Sequence, residues 1–407
     1  MLECNYFWKA VYITTNGWIT PCCYFENPFR ILYRDSDGKL IKNYDIPEHE
    51  DSNKIHNHYN LVNIREQVLN NETPKGCMKC IETEQYGIQS HRQGGLDHYE
   101  RFDVHYNSIP EKEKTPNIEI KNIRHIDLRV GNTCNFMCVM CGNNESHLIA
   151  KENKKQNKLF NLSSPTVGWG DQTDNILRFL DNAVNVKTVN IGGGEPFYNK
   201  KLLTKILQAL LSRSKQVTVT MITNGSTVDE NIFKLLNQFN NVNMNLSLDG
   251  TDQYIETQRW NSNWEKIKSN IAIMEQIFKP TVLLRVIPLV TALTITNLTK
   301  LLQWVEDTNA IYDCDPEFVI DPKFMQCSLV KQSVLNKVIN DVSAMKLTKT
   351  SKERVCTYFK NTKQTPELRY EFDEYFSDLK NLRGLDVYKA IPELKDTLLT
   401  MSETVLV

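Results

Sequence analysis

An excess of charge of either sign is missing from this chain. Its 407 residues carry 48 Lys and Arg against 49 Asp and Glu, a net charge of −1. That balance leaves no electrostatic footprint for nucleic acid. Long apolar runs are missing too, and no stretch has the length to span a bilayer. The opening Met1-Leu-Glu-Cys4 lacks a basic segment followed by an apolar one, so a secretory signal is not expected and a cytoplasmic setting is. No repeat at solenoid or propeller spacing is present. The rest is an ordinary globular composition, 41% hydrophobic and 24% charged. The length suits two or three domains, or one α/β barrel with additions. Cysteine, by contrast, is plentiful. Eleven cysteines without an export signal argue against a disulfide scaffold and for metal binding or thiol chemistry.

Three of these thiols stand at Cys134-Asn-Phe-Met-Cys138-Val-Met-Cys141, after a strand-like segment at Arg124–Val130. A closed zinc site needs a fourth ligand, and His147 is near enough in sequence to supply one. A cubane iron–sulfur cluster held by three thiolates would instead leave one iron open. A trio of buried free thiols is a third reading. The triplet alone leaves all three open.

From about Ile123 to Val290, short β-rich runs alternate with helical ones. Strands are expected at 124–130, 187–191, 217–222, 243–248 and 281–288, with helices at 172–182, 200–213, 229–238 and 262–278. The runs at 217–222 and 282–287 look nearly continuous in β-branched and apolar residues, as for parallel strands buried on both faces. Such β-α units predict a parallel sheet or a barrel with its site at the C-terminal ends of the strands. The unusual clusters fall there: the cysteine triplet, Gly192-Gly-Gly-Glu195-Pro196, Thr223-Asn224-Gly225, and Ser247-Leu-Asp249-Gly250. Residues 1–118 read differently. They hold Cys4, Cys22-Cys23 and Cys77-Met-Lys-Cys80, a hairpin of strands 8–13 and 17–20 around Thr15-Asn16-Gly17, a helix at 60–70, and a polar linker or lid at 90–118 with His91, His98 and His105. The Lys/Asn-rich run 151–158 reads as a solvated helix end or loop. Residues 296–407 read as mostly helical, with a further strand at 316–320. Cys314, Cys327 and Cys356 there have no ligand spacing and read as ordinary thiols.

C-x3-C-x2-C after one strand and Gly-Gly-Glu-Pro after the next resembles the radical S-adenosylmethionine (radical SAM) superfamily over at least residues 120–290. Cys4-x12-Gly17-x4-Cys22 with Cys77-x2-Cys80 resembles its auxiliary-cluster module, SPASM or the shortened twitch form, placed here before the barrel. Tyr375–Asp386 with Pro392-Glu-Leu394 looks like the tail of the same group. The resemblance implies an α/β fold: a partial (β/α)6 TIM-like barrel at 119–300, an N-terminal auxiliary module at 1–118, and a helical extension at 301–407 completing the barrel. It implies that Cys134, Cys138 and Cys141 ligate a [4Fe–4S] cluster whose open iron binds SAM. Reductive cleavage of SAM then gives a 5′-deoxyadenosyl radical that takes hydrogen from the substrate, with electrons from a flavodoxin- or ferredoxin-type donor.

SAM contacts are expected from the glycines 192–194, which would let backbone approach the methionyl group, and from Glu195 as acceptor for its ammonium. Asn224, Ser247 and Asp249 can bond ribose or carboxylate, though each type is common in turns. Arg259 lies where relatives place a carboxylate partner, and a surface arginine is the plain alternative. Met140 would pack on adenine, with Val286 and Ile287 as an apolar wall or simply core. Tyr198, Tyr254, Trp260 and Arg285 are expected to be structural. Cys4, Cys22, Cys77 and Cys80 would close a second [4Fe–4S] cluster, with zinc as the alternative and Cys23 able to replace Cys22. Many proteins with this module modify ribosomal peptides, so a peptide maturase is the first function expected. An enzyme for a small molecule, sugar or nucleotide is the second, and a non-catalytic iron–sulfur or zinc protein the third.

Overall fold

The computed structural model describes residues 3–25, 52–85, 87, 89–94, 109–156, 165–169 and 173–401. His98 and His105 of the expected linker lie outside them.

Eight strands form one sheet in the order β2-β1-β3-β4-β5-β6-β7-β9. They are β1 (Ala10–Ile13), β2 (Ile19–Thr20), β3 (His125–Arg129), β4 (Thr188–Gly192), β5 (Thr218–Thr223), β6 (Asn241–Leu246), β7 (Val282–Val286) and β9 (Ile311–Cys314). The pair β1/β2 is antiparallel and every other pair is parallel. Strands β3 to β7 and β9 form the partial (β/α)6 barrel. Its helices include α1 (Thr173–Asn182), α2 (Lys200–Leu210), α3 (Glu230–Leu236), α4 (Trp264–Ile277) and α5 (Leu298–Asp307). Among the described residues no helix is long and apolar enough to cross a membrane.

Helix boundaries follow local chemistry. In α2, Leu202, Leu203, Ile206, Leu207 and Leu210 fall on one buried stripe. Asp229 caps α3 by accepting from the N–H groups of Asn231 and Ile232, and Asn263 caps α4 through Lys266.

Three expectations change. The N-terminal hairpin is not confined to a separate module, because β1 pairs with β3 in parallel and extends the barrel sheet. The sixth barrel strand is Ile311-Tyr-Asp-Cys314, which its polar residues hid; the expected strand at 316–320 is the short β10 (Glu317–Phe318), paired with β8 (Leu289–Val290) outside the main sheet. The strands are also not apolar on both faces. Thr218-Val-Thr-Met and Asn241-Val-Asn-Met-Asn-Leu alternate strictly. Ile126, Leu128, Val189, Ile191, Val219, Met221, Val242 and Met244 share one core with the helices, and the polar residues between them face the barrel lumen.

Arg65, on a helix at Tyr59–Leu69, ties the N-terminal region together. Fully buried, it donates Nε to Phe7 O (2.6 Å), Nη1 to Asn57 Oδ1 (3.2 Å) and Pro116 O (3.0 Å), and Nη2 to His56 O (2.8 Å). Arg65→Met strands these acceptors in the interior. It is expected to cost about 3 kcal/mol, read from the urea unfolding midpoint.

Candidate active site

The loop after β3 is held from every side. Val130 N–H donates to Gly192 O (2.9 Å), Gly194 N–H to Gly131 O (2.7 Å) and Glu195 N–H to Thr133 O (2.8 Å), so the two rim loops continue the β3/β4 pairing. A Cβ at Gly192 would meet the Arg129 guanidinium at 2.2 Å, one at Gly193 Gly131 O at 2.6 Å, and one at Gly194 Thr133 O at 2.4 Å. These glycines therefore serve loop-to-loop contact and a neighbouring side chain, where the sequence suggested approach to a ligand. Asn132, fully buried and unremarked in the sequence, donates Nδ2 to Asn143 O (2.8 Å) and Pro165 O (2.9 Å) and accepts from Val167 N–H (2.9 Å).

Further along, Met137 N–H donates to Trp260 O and Val139 N–H to Gln258 O, both at 2.9 Å. The carbonyls of the same residues are taken from the other side. Tyr375 Oη donates to Val139 O (2.6 Å) and Arg383 Nη1 to Met137 O (3.0 Å). Arg383 is fixed in turn by Glu152 at 2.6 Å. Both clamp residues lie on the helix Arg369–Arg383, in or beside the tail segment the sequence singled out. Arg383→Met should speed iron loss to a chelator by about 10- to 100-fold, the range for residues that orient metal ligands. Arg383→Lys should restore part of the loss, with the circular dichroism of both variants unchanged.

Within this frame Cys141 acts on the Cys138 thiol, and Cys134 lies within the electrostatic reach of Cys138. The Cys141 thiol, then the Arg259 charge, hold Cys138 below the usual thiol range against its burial. Burial pushes Cys134 up to about 12. Among the described residues no three or more His, Cys, Asp or Glu side chains are arranged to hold a single metal ion. His147 turns Nδ1 to the N–H of Cys134 (3.2 Å) and so caps the loop rather than facing the thiols with that nitrogen.

Arg259 is largely covered, its side chain 12% exposed, and is not a surface residue. Its Nη2 meets Asp249 Oδ1 at 2.8 Å and its Nη1 lies 3.9 Å from Cys138 Sγ. Its Nε is buried without a partner. Asp249 accepts two further bonds, Oδ1 from Leu289 N–H (2.8 Å) and Oδ2 from Gln258 Nε2 (2.7 Å). It positions Arg259. Gln258, missed in the sequence, also accepts from the Thr291 hydroxyl and joins this network.

Glu195 is almost wholly buried and accepts from Thr223 Oγ1 (2.9 Å), Phe197 N–H (3.2 Å) and Asn224 N–H (2.7 Å). Burial lifts its pKa to about 7 against those donors. The expected ammonium acceptor is thus first a strut between the β4 and β5 loops. Asn224 Nδ2 donates to Asn135 Oδ1 (2.9 Å), and Asn135 Nδ2 to Ser226 Oγ (3.0 Å), tying the cysteine loop to the β5 loop. Ser247 joins the rim through its N–H to Thr223 O (2.9 Å). Met140 is half-buried against the core, Val286 is core, and Arg285 pairs with Asp313 at 2.6 Å. Tyr198 is half exposed, whereas Tyr254 is buried.

Residues 128–305 match the family model of the Radical SAM superfamily. The chain carries a radical SAM domain. Such a domain works with a [4Fe–4S] cluster and SAM. The residues present suit both: three thiols on one clamped loop, and beside them a largely covered guanidinium able to meet a carboxylate. No curated protein matches the chain. Among solved structures it is similar to native anSMEcpe with bound AdoMet, at 15% identity and a TM-score of 0.42, over 54% of this chain and 58% of that one. It is also similar to Streptococcus suis SuiB bound to S-adenosylmethionine, at 14% identity and a TM-score of 0.34, over 86% and 70%. A third is the methyltransferase TsrM from Kitasatospora setae, at 11% identity and a TM-score of 0.33, over 50% and 39%. The match thus spans less than two thirds of the length of anSMEcpe.

A second thiol group lies beyond the radical SAM domain. Cys4, Cys22, Cys77 and Cys80 line one small cavity. Cys23 is not part of that lining, and its sulfur lies 3.8 Å from His91 Nε2. Burial pushes Cys4 and Cys77 up to about 12. The C-terminal Cys314, Cys327 and Cys356 are each buried, as ordinary thiols are.

Proposed function

We propose that this protein is a radical SAM enzyme that removes hydrogen from a carbon of a peptide substrate. Cys134, Cys138 and Cys141 would hold the cluster, and Arg259, steered by Asp249, the carboxylate of SAM. The bound cluster supplies the electron that cleaves SAM to methionine and a 5′-deoxyadenosyl radical. The rim network of Glu195, Asn224 and Asn135 keeps the loops rigid around the cofactor, as accurate placement of two reactants requires. Residues 1–118 would contribute the auxiliary module. The fully thiolate set Cys4, Cys22, Cys77 and Cys80 suits a closed cluster with no open iron.

One observation carries the choice of a peptide. A cavity of about 470 Å³ lies between the N-terminal thiol region and the elements after β9. Tyr24 and His91 line both it and the thiol cavity. Tyr24 stacks on His91 at 4.4 Å on one wall, and Phe318 on Tyr358 at 3.6 Å on another. Tyr24 Oη donates to Glu317 (3.4 Å), which also meets Arg354 at 3.0 Å. The volume suits one or two side chains of an extended segment, and mixed aromatic and polar walls suit a peptide better than a phosphorylated small molecule.

The test is to reconstitute the protein with iron and sulfide, reduce it through a flavodoxin and supply SAM. Formation of 5′-deoxyadenosine supports the radical chemistry, and its absence sinks it. Peptides encoded beside the gene, incubated under the same conditions, should change in mass. If none does while a small molecule accelerates SAM cleavage, the substrate class is wrong.

A further inference from the structure

Reductive cleavage of SAM consumes one electron, which the reacting molecules do not themselves supply. The electron has to come from a second protein. It can enter only where the molecular surface comes near Cys134, Cys138 and Cys141, because electron transfer falls off steeply with distance.

The helix His147–Lys155 joins that loop to the surface. Its start is stitched to the loop. Ser146 Oγ donates to Phe136 O (2.8 Å), His147 N–H to Asn132 O (2.7 Å) and Cys134 N–H to His147 Nδ1 (3.2 Å). Ile149 and Ala150 are buried. With about 3.6 residues per turn, His147, Lys151, Lys154 and Lys155 share one face, on the side away from those two. All three lysines are exposed. Lys151 stands one turn and Lys155 two turns beyond His147, about 6 and about 12 Å along the axis.

This face is positive and not neutralised. Glu152 is the one acidic residue of the helix, and it is taken up by Arg383 at 2.6 Å. Among the described residues Lys151, Lys154 and Lys155 are in no ion pair. Lys154 and Lys155 complement the helix dipole in its last turn. Lys151 does not, because it lies mid-helix and repels Lys155 as a like charge at i,i+4. Helix stability therefore does not account for the row, whereas a partner of opposite charge does. Redox proteins meet their partners through small, weak interfaces, and charge steers the approach. Nucleic acid fits less well on a chain whose net charge is −1.

We infer that the exposed face of the helix His147–Lys155 docks an acidic one-electron carrier protein through Lys151, Lys154 and Lys155, beside the loop of Cys134, Cys138 and Cys141. The docked carrier gives up one electron and this protein takes it, with no bond formed or broken between them. The inference rests on the radical SAM reading, and it names the face through which that chemistry is driven.

The test uses the full-length reconstituted protein and a fluorescently labelled acidic flavodoxin. Binding read by anisotropy should weaken about tenfold or more as ionic strength rises from about 0.02 to about 0.2 M. The triple variant Lys151→Glu/Lys154→Glu/Lys155→Glu should weaken it about 10- to 100-fold, and the corresponding triple Lys→Gln variant about tenfold. A carbodiimide, which joins lysine amines to carboxylates, should cross-link flavodoxin to the segment 151–155. The urea midpoint of the Lys→Gln variant should not fall, because a repulsion and no attraction is removed. Lys201→Glu/Lys266→Glu/Lys395→Glu, at exposed lysines of other helices, changes the net charge equally. It should leave binding within about twofold of the wild type.

Deoxyadenosine formation separates this inference from the reading beneath it. Driven by dithionite, it should be the same in the wild type and the Lys→Gln variant. Driven by reduced flavodoxin, it should fall in that variant as binding does. Undiminished flavodoxin binding by the Lys151/154/155→Glu variant, or an equal loss in the control variant, overturns the docking face. So does a loss of dithionite-driven product in the Lys→Gln variant, which would give these lysines to the substrate or to the cysteine loop. No product from the wild type with dithionite removes the radical reading, while the binding and cross-linking results still decide the face.

Discussion

Cys138→Ala protein, reconstituted and reduced as the wild type is, should form no 5′-deoxyadenosine above background. Cys138 is the middle thiol of the three, coupled to Cys141 and 3.9 Å from Arg259. Its flanking N–H groups at Met137 and Val139 are locked to Trp260 and Gln258, so no neighbouring residue can swing in as a substitute. The fold should survive, because the loop is held through backbone bonds that alanine keeps. Iron content should fall by about half, with the remainder at the N-terminal thiols. The converse variant, Cys80→Ala, should lose the other half and still cleave SAM. Full 5′-deoxyadenosine formation by Cys138→Ala would mean that the reactive cluster lies elsewhere.

Asp249→Leu should be the most damaging change away from the thiols. Asp249 is completely buried and is the only carboxylate in an ion pair with Arg259 among the described residues. Removing it leaves a guanidinium uncompensated beside the cysteine loop, at a cost of about 3–5 kcal/mol in urea unfolding. Arg259→Met should cost less, because Asp249 would keep its donors from Leu289 N–H and Gln258. The double variant Asp249→Leu/Arg259→Met should recover most of the stability, as replaced buried ion pairs do. Both Asp249→Leu and the double variant should lose SAM binding by equilibrium dialysis. Retained binding in the double variant would remove Arg259 from the cofactor site.

Much of the barrel could be read from the residues alone. The helices stand where apolar residues recur every three or four positions, and the site loops stand where Gly, Asn and Cys interrupt strands. Harder to read was the sixth strand, Ile311-Tyr-Asp-Cys314, whose inward Asp313 is paired with Arg285 opposite it in the sheet. The inward polar row was visible as strict alternation in Asn241–Leu246, but alternation ordinarily signals a strand with one face in water. Only the tertiary fold, which buries Asn243 and Asn245, turns that face inward.

The site divides in the same way. The order of thiols at 134, 138 and 141, the Gly-Gly-Glu-Pro turn and the distant Cys77-x2-Cys80 are local patterns, and the chain alone determined them. Tertiary structure decided what the other residues do. Asp249 and Glu195 act as struts because each accepts three hydrogen bonds, most of them from other segments. Arg259 turned inward because Asp249 waits there. Cys22 rather than Cys23 lines the small cavity with Cys4, Cys77 and Cys80. Tyr375 and Arg383 reached a loop more than two hundred residues away. Hydrogen bonds and ion pairs act over a few ångströms, and only folding brings such distant residues within that range.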